Sequence, residues 1–299
     1  MTKLRFYLAK LPTAGLIALV LLFKLTTCSA IDTAEYFPDL KPDADGRIET
    51  LNNEGGMAPS ATGAEVWLLS DLKKQDTTNL RLLEIGPAFG RFPIELFNEG
   101  FKGTYTAIEL SDDHLRYLHQ ALNKLSIEHG KVQSIIGRFP TDTMHLANGS
   151  FDVIVITHVF HFFEPQHFDQ ALEELNRLLV PGGKIYLTAK TPYSNRYKSF
   201  IPVYEQRVKN QQAYPGYIAD VGAWVDPDTI TPERLQKLYG RHLYFFTKED
   251  LNQVFIKNNF KVARCEEIPL GYSSPIWQAP KKYANREDAV ILAVKVIND

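Results

Sequence analysis

Cysteine is scarce. Cys28 and Cys265 are the only two in 299 residues, so neither a disulfide framework nor a cysteine metal knuckle can be built, and the redox compartment stays open. An excess of one charge is lacking too. Lys and Arg number 33 against 35 Asp and Glu, and a net charge of −2 leaves nothing to grip a phosphate backbone, which argues against nucleic acid as a partner. Internal repeats and low-complexity tracts are absent. What is present, 44% hydrophobic and 23% charged residues, is the balance of an ordinary folded chain with a large core, read here as one domain.

The N-terminus stands apart. Lys3, Arg5 and Lys10 precede the apolar run Ala14–Phe23, then come Lys24 and the small-residue stretch Thr26–Ala30, the layout of a secretory signal or signal anchor over residues 1–30. The run reaches about half of the roughly 20 residues that span a bilayer, so a permanent transmembrane helix is the weaker reading. Ala30 is a candidate cleavage point. Leu25-Thr26-Thr27-Cys28 has some likeness to a bacterial lipoprotein signal, although a small residue such as Gly or Ala usually stands where Thr27 does. An amphipathic surface helix, or a reading frame whose folded part opens at Met57, is the alternative. Basic residues before the run and Asp32, Glu35 and Asp39 after it would put the body of the chain on the outer side. Residues 31–56, acidic and rich in turn signals with little apolar periodicity, read as a linker before a domain over 57–299.

From there strands and helices alternate. Ser60 or Thr62 is placed to cap a helix to Lys74, and Leu80–Ile85 is a short strand ended by Gly86. A helix over Arg91–Asn98, a strand over Thr104–Glu109, a helix capped by Asp112 or Asp113 through Ile127 and a strand over Lys131–Ile136 follow. Phe151–Thr157 is nearly all β-branched, as a strand buried on both faces requires. A helix over Gln166–Leu179, a strand over Lys184–Thr188, a helix from Thr247 to Asn258 and strands over Lys261–Glu267 and Asp288–Val296 complete the set. This order predicts an α/β doubly wound sheet with helices on both faces, and the missing crossover before the last strand makes the final pair antiparallel.

Ligands of such sheets bind beyond the carboxyl ends of the strands. There stand Glu84-Ile85-Gly86-Pro87-Ala88-Phe89-Gly90, whose small residues let backbone approach a ligand and then turn into a helix with free N–H groups. Their spacing is tighter than the dinucleotide fingerprint and counts against NAD. Glu109, at the tip of the second strand, is placed to accept hydrogen bonds from both hydroxyls of a ribose.

With Leu82–Gly90, Glu109, Phe151-Asp152-Val153-Ile154-Val155 and Leu179-Val180-Pro181-Gly182-Gly183 in this order, the chain resembles the class I S-adenosylmethionine-dependent methyltransferases of the type 11/25-like kind. The resemblance implies a Rossmann-like seven-stranded sheet with an antiparallel last strand and S-adenosyl-L-methionine as cofactor. It implies that Glu84 and the loop Gly86, Pro87, Ala88, Phe89 and Gly90 border the methionine part, and that Glu109 and Leu110 hold the ribose. Arg138 and Phe139 would flank the adenine, while Thr157 and His158 close the pocket floor. Ala88 stands where glycine is commonest and Arg138 where the family often has aspartate.

His158, His161, Glu164 and His167 have a metal-like spacing, but the first two fall on a bend, so no metal is expected. His158 or His161 would serve as the base if an acceptor needs one; either could equally be a pocket-wall histidine. The long insertion 191–244 carries Tyr193, Tyr197, Phe200, Tyr204, Tyr214, Tyr217, Trp224, Tyr239 and Tyr244, suited to a small-molecule or lipid-like acceptor. Arg196, Lys198, Arg207 and Lys209 are available to an acidic group; packing of the insertion onto the sheet is the competing reading. The expected function is methyl transfer. An exported, non-catalytic module on the same fold and an NAD-dependent oxidoreductase are the rivals. Localisation stays divided between an N-terminal export or membrane signal and a cytosolic cofactor.

Overall fold

The apolar runs pair into one sheet, seen in a computed structural model that describes residues 31–52 and 55–297. Its strands are β1 (Arg81–Ile85), β2 (Thr104–Glu109), β3 (Val132–Ile136), β4 (Phe151–Thr157), β5 (Leu179–Lys190), β6 (Phe260–Ile268) and β7 (Asp288–Lys295), in the order β6-β7-β5-β4-β1-β2-β3. The first five pair in parallel; β7 runs antiparallel to both β5 and β6. Central strands bury both faces, and the pleat sorts their side chains. On β4, Ile154 and Ile156 enter the core under α4 (Phe168–Leu178) and α6 (Lys248–Lys257). Val153 and Val155 enter the opposite core under α1 (Ala64–Leu72), α2 (Arg91–Asn98) and α3 (Asp112–Leu122).

Several boundaries differ from the sequence reading. Gly63, not Ser60 or Thr62, precedes α1 and makes no side-chain cap; the Ala64 N–H is instead satisfied by Thr188 Oγ1 of β5 at 2.8 Å. Ser111 caps α3 by accepting from the His114 N–H, and the helix stops at Leu122 rather than Ile127. Strand β5 begins at Leu179 because Pro181-Gly182-Gly183 bulges within it, between the pairs Phe151↔Leu179 and Val153↔Lys184. Thr247 makes a capping box with Asp250 at the start of α6, as expected of that residue.

The stretch expected as a linker packs onto the domain over its described residues. Phe37, Ile48 and Met57 are buried in the core beneath α1 to α3, and Ile48–Glu49 pairs with Gly56–Met57 as a small antiparallel ladder. The Leu51 N–H donates to His114 Nε2 at 3.0 Å, tying this segment to α3. Three widely spaced apolar anchors have no period, which is why the pattern looked like a linker. The signal expected over residues 1–30 lies outside the described residues, and among those described no helix is long and apolar enough to cross a membrane.

The insertion builds a third core of its own. Tyr193, Tyr197, Phe200 and Tyr204, with α5 (Ile201–Lys209), pack against Ile218, Leu243, Phe245 and Tyr283. These aromatics are therefore packing residues, and Tyr244 is likewise buried, against Phe168 and Phe246. Tyr214 and Tyr239 remain half exposed.

Candidate active site

The loop after β1 has the backbone that its glycines allow. Gly86 lies at φ +73° and a Cβ there would sit 2.4 Å from Val159 Cγ2; Gly90 lies at φ +95° and its Cβ would meet Leu118 Cγ at 2.9 Å. Ala88 is also left-handed, at φ +51°, a conformation that costs an L-residue about 1 kcal/mol and explains why glycine is the easier choice there. A hydrogen bond holds it. The Ala88 N–H donates to Glu109 Oε2 at 3.1 Å, so the tip of β2 clamps the loop of β1.

Glu109 is buried. Its Oε1 accepts the Leu110 and Ser111 N–H groups at 2.8 and 3.2 Å, and His114 Nδ1 lies 3.3 Å away. A carboxylate has about four lone-pair sites, so three backbone donors leave roughly one for a ligand hydroxyl. Leu110 is half exposed at the same rim. Glu84 is buried with Tyr105 Oη donating to its Oε2 at 2.6 Å. Burial pushes Glu84 up to about 8, the Tyr105 bond works against this, and nearby Glu65 adds to it.

That raised value has a stability consequence of defined sign. A protonated Glu84 stabilises the fold fully below its ordinary value of 4.5, and the contribution is lost as pH rises through about 8. Denaturant unfolding between pH 5 and pH 8 should therefore show stability of the wild type falling by up to about 1 kcal/mol per pH unit relative to Glu84→Gln, which stays neutral. Parallel pH profiles for the two proteins would refute a protonated Glu84.

Beneath the loop lies a buried ionic triad that the sequence reading missed. Arg91 pairs with Glu95 one helical turn on, at 2.9 Å, and with Glu65 of α1. Charged residues at buried helical positions were its signal, though their partner was not readable.

At the end of β4, Thr157 Oγ1 and His158 Nδ1 are buried without partners among the described residues. His158 takes φ +57°, donates its backbone N–H to Thr188 O at 2.9 Å, and sets Nε2 3.7 Å from Asp288 Oδ2. Burial first, then Lys190 and Arg47, holds its imidazole well below the ordinary histidine value. His161 is likewise shifted down, by burial and by His158, and its ring centre lies 6.0 Å from that of His158. Both rings are thus neutral near pH 7. Among the described residues no group of three or more His, Cys, Asp or Glu is placed to hold a metal.

The Phe89 ring is buried against His114, Tyr117 and Phe37, so it anchors the loop in the core. Phe139 is buried with its ring centre 6.3 Å from that of Phe163, while the Arg138 side chain is exposed and its N–H donates to Asp142 Oδ2 at 2.7 Å. Pro87 is buried in the same loop. Of the basic residues in the insertion, Lys198 pairs with Asp226 and Arg207 binds the carbonyls of Pro215 and Tyr217.

The cradle at Gly86 and Gly90, the Glu109 carboxylate, the Glu84 carboxyl group and the orphaned Thr157 and His158 atoms all stand at the carboxyl ends of the strands. Comparison agrees with the fold. Residues 83–187 match the methyltransferase domain family. A highly reducing polyketide synthase of Purpureocillium lilacinum is 26% identical over 155 residues, 48% of this chain, and the chain spans only 6% of that protein's length. A SAM-dependent methyltransferase from Methanosarcina mazei superposes with a TM-score of 0.52 at 18% identity, covering 74% of this chain and 94% of that one. A candidate sarcosine dimethylglycine methyltransferase from Galdieria sulphuraria gives 0.51 at 12% identity, covering 78% and 85%.

Proposed function

We propose that the chain is a class I S-adenosylmethionine-dependent methyltransferase that transfers a methyl group to a small-molecule or lipid-like acceptor, a reading supported by the methyltransferase-domain match over residues 83–187 and by the fold. The observation that carries this reading is the clamp between Glu109 and the left-handed Ala88, which holds the glycine loop open to a ligand at the strand ends. When bound, S-adenosylmethionine supplies a sulfonium methyl carbon open to in-line attack. The protein's part is then to bind, orient and exclude water.

Glu109 holds a ribose hydroxyl with its remaining lone pair, and Glu84 borders the cationic methionine end. Thr157 and His158 line the floor. Either His161 or His158, each neutral with Nδ1 unpartnered among the described residues, is able to take a proton from a hydroxyl acceptor. Val159, which packs against Gly86, links His158 to the loop.

Calorimetric titration of the full chain with S-adenosylmethionine, S-adenosylhomocysteine and NAD tests the reading. Saturable binding of the first two and none of the third is expected. Absence of binding to folded protein would overturn it.

A further inference from the structure

Linked to His158 through Asp288, three cations surround one indole. Arg47 Cζ, Lys190 Nζ and Arg196 Cζ lie 5.0, 5.4 and 4.5 Å from the ring centre of Trp277. They come from distant parts of the chain: the segment expected as a linker, the end of β5 and the insertion. Gly56 leaves the space for one of them, since a Cβ there would stand 2.6 Å from Arg47 Nη2.

Direct ion pairing within the cluster is incomplete. Lys190 is paired with Asp288 at 2.8 Å, but among the described residues no ion pair is formed by Arg47 or Arg196. Asp43 accepts the backbone N–H groups of Asp45 and Arg47 and acts on Arg196 through space without pairing with it, and Asp45 accepts from the Ser274 hydroxyl. Arg196 is buried, its Nη2 donates to Thr229 O at 2.9 Å, and its Nε has no partner. A buried guanidinium without a direct ion-pair partner is costly, and an oxyanion that accepts from two guanidinium groups lowers that cost. Burial is the main reason that Arg196 is pulled down to about 10; Arg234 and Arg47 add to the shift, and Tyr197 and Asp43 oppose it.

The position ties this cluster to the reaction. Asp288 Oδ1 binds Lys190 while its unpartnered Oδ2 faces His158 Nε2, and His158 precedes the Val159 that packs on Gly86. We propose that Arg47, Lys190 and Arg196 around Trp277 form the subsite that holds an oxyanion, a carboxylate or phosphate monoester, of a small soluble acceptor. This deepens the methyltransferase reading and rests on it for the word acceptor, while the anion site itself does not. The charged group, not an apolar surface, then selects the substrate, and the segment around Arg47 is part of the acceptor site.

The test is calorimetric titration of the full chain with benzoate, phenyl phosphate and neutral benzamide, with and without S-adenosylhomocysteine. Saturable binding of at least one anion is expected, with benzamide roughly tenfold or more weaker, and the tighter anion names the oxyanion. Arg47→Gln and Arg196→Gln should each weaken the anion by roughly tenfold or more and leave S-adenosylhomocysteine affinity unchanged. Arg47 is the safer variant because its side chain is only partly buried, and the benzoate-to-benzamide ratio needs no variant at all. Equal binding of benzoate and benzamide, no anion binding, or full affinity in the folded Arg47→Gln protein would overturn the subsite while leaving the methyltransferase reading intact. Failure of S-adenosylhomocysteine alone would overturn the methyltransferase reading and leave the anion site to be judged by the titrations without it.

Discussion

Glu109→Ala should weaken S-adenosylhomocysteine binding by roughly a hundredfold or more, since hydrogen bonds to a charged group contribute about 1.5–3 kcal/mol each and two kinds are lost. One is the bond to the ribose. The other is the clamp to the Ala88 N–H, without which the left-handed loop residue has nothing to offset its backbone cost. The N–H groups of Leu110 and Ser111 can turn to water because the rim is open at Leu110, so the fold should survive. Glu109→Gln separates the contributions, since it keeps an acceptor oxygen and loses the charge. Calorimetry beside an unfolding curve checks both; wild-type affinity in folded Glu109→Ala would remove the residue from the cofactor site.

Arg91→Met should cost about 3–5 kcal/mol of stability, the toll of leaving buried partners of a broken ion pair uncompensated. Arg91, Glu65 and Glu95 are all nearly inaccessible, and Glu84 lies close enough to feel both Glu65 and Arg91. Removing the cation strands two carboxylates beside the buried Glu84 carboxyl group. Adding Glu65→Gln and Glu95→Gln to Arg91→Met should return much of the loss, because the neutral amides need no counter-charge. Urea unfolding of the single and triple variants measures it. A single-variant loss under about 1 kcal/mol would mean that the triad behaves as a solvated surface pair.

Much of the scaffold was legible because its signals are local. The doubly buried strand Phe151–Thr157 and the helix Arg91–Asn98 have the bounds that periodicity and turn residues indicated. The hairpin of the last two strands followed from the lack of a crossover helix. The glycine loop and Glu109 were legible for the same reason, since a small-residue turn and a strand-end carboxylate are each read within a few positions. The direction of the Phe89 ring was not, because a left-handed residue on either side of it turns the side chain back into the core.

The chain's own order of residues thus determined the strand sequence, the loop at the carboxyl ends and the acidic tip beside it, all set by contacts between near neighbours. Only the tertiary structure decided which charges meet. Glu65 reaches Arg91 across two helices, Asp288 reaches Lys190 across 98 residues, and Arg47 reaches Trp277 from a segment with no period of its own. Coulomb interactions depend on distance in space and on burial, and neither quantity is written in the spacing of residues along a chain.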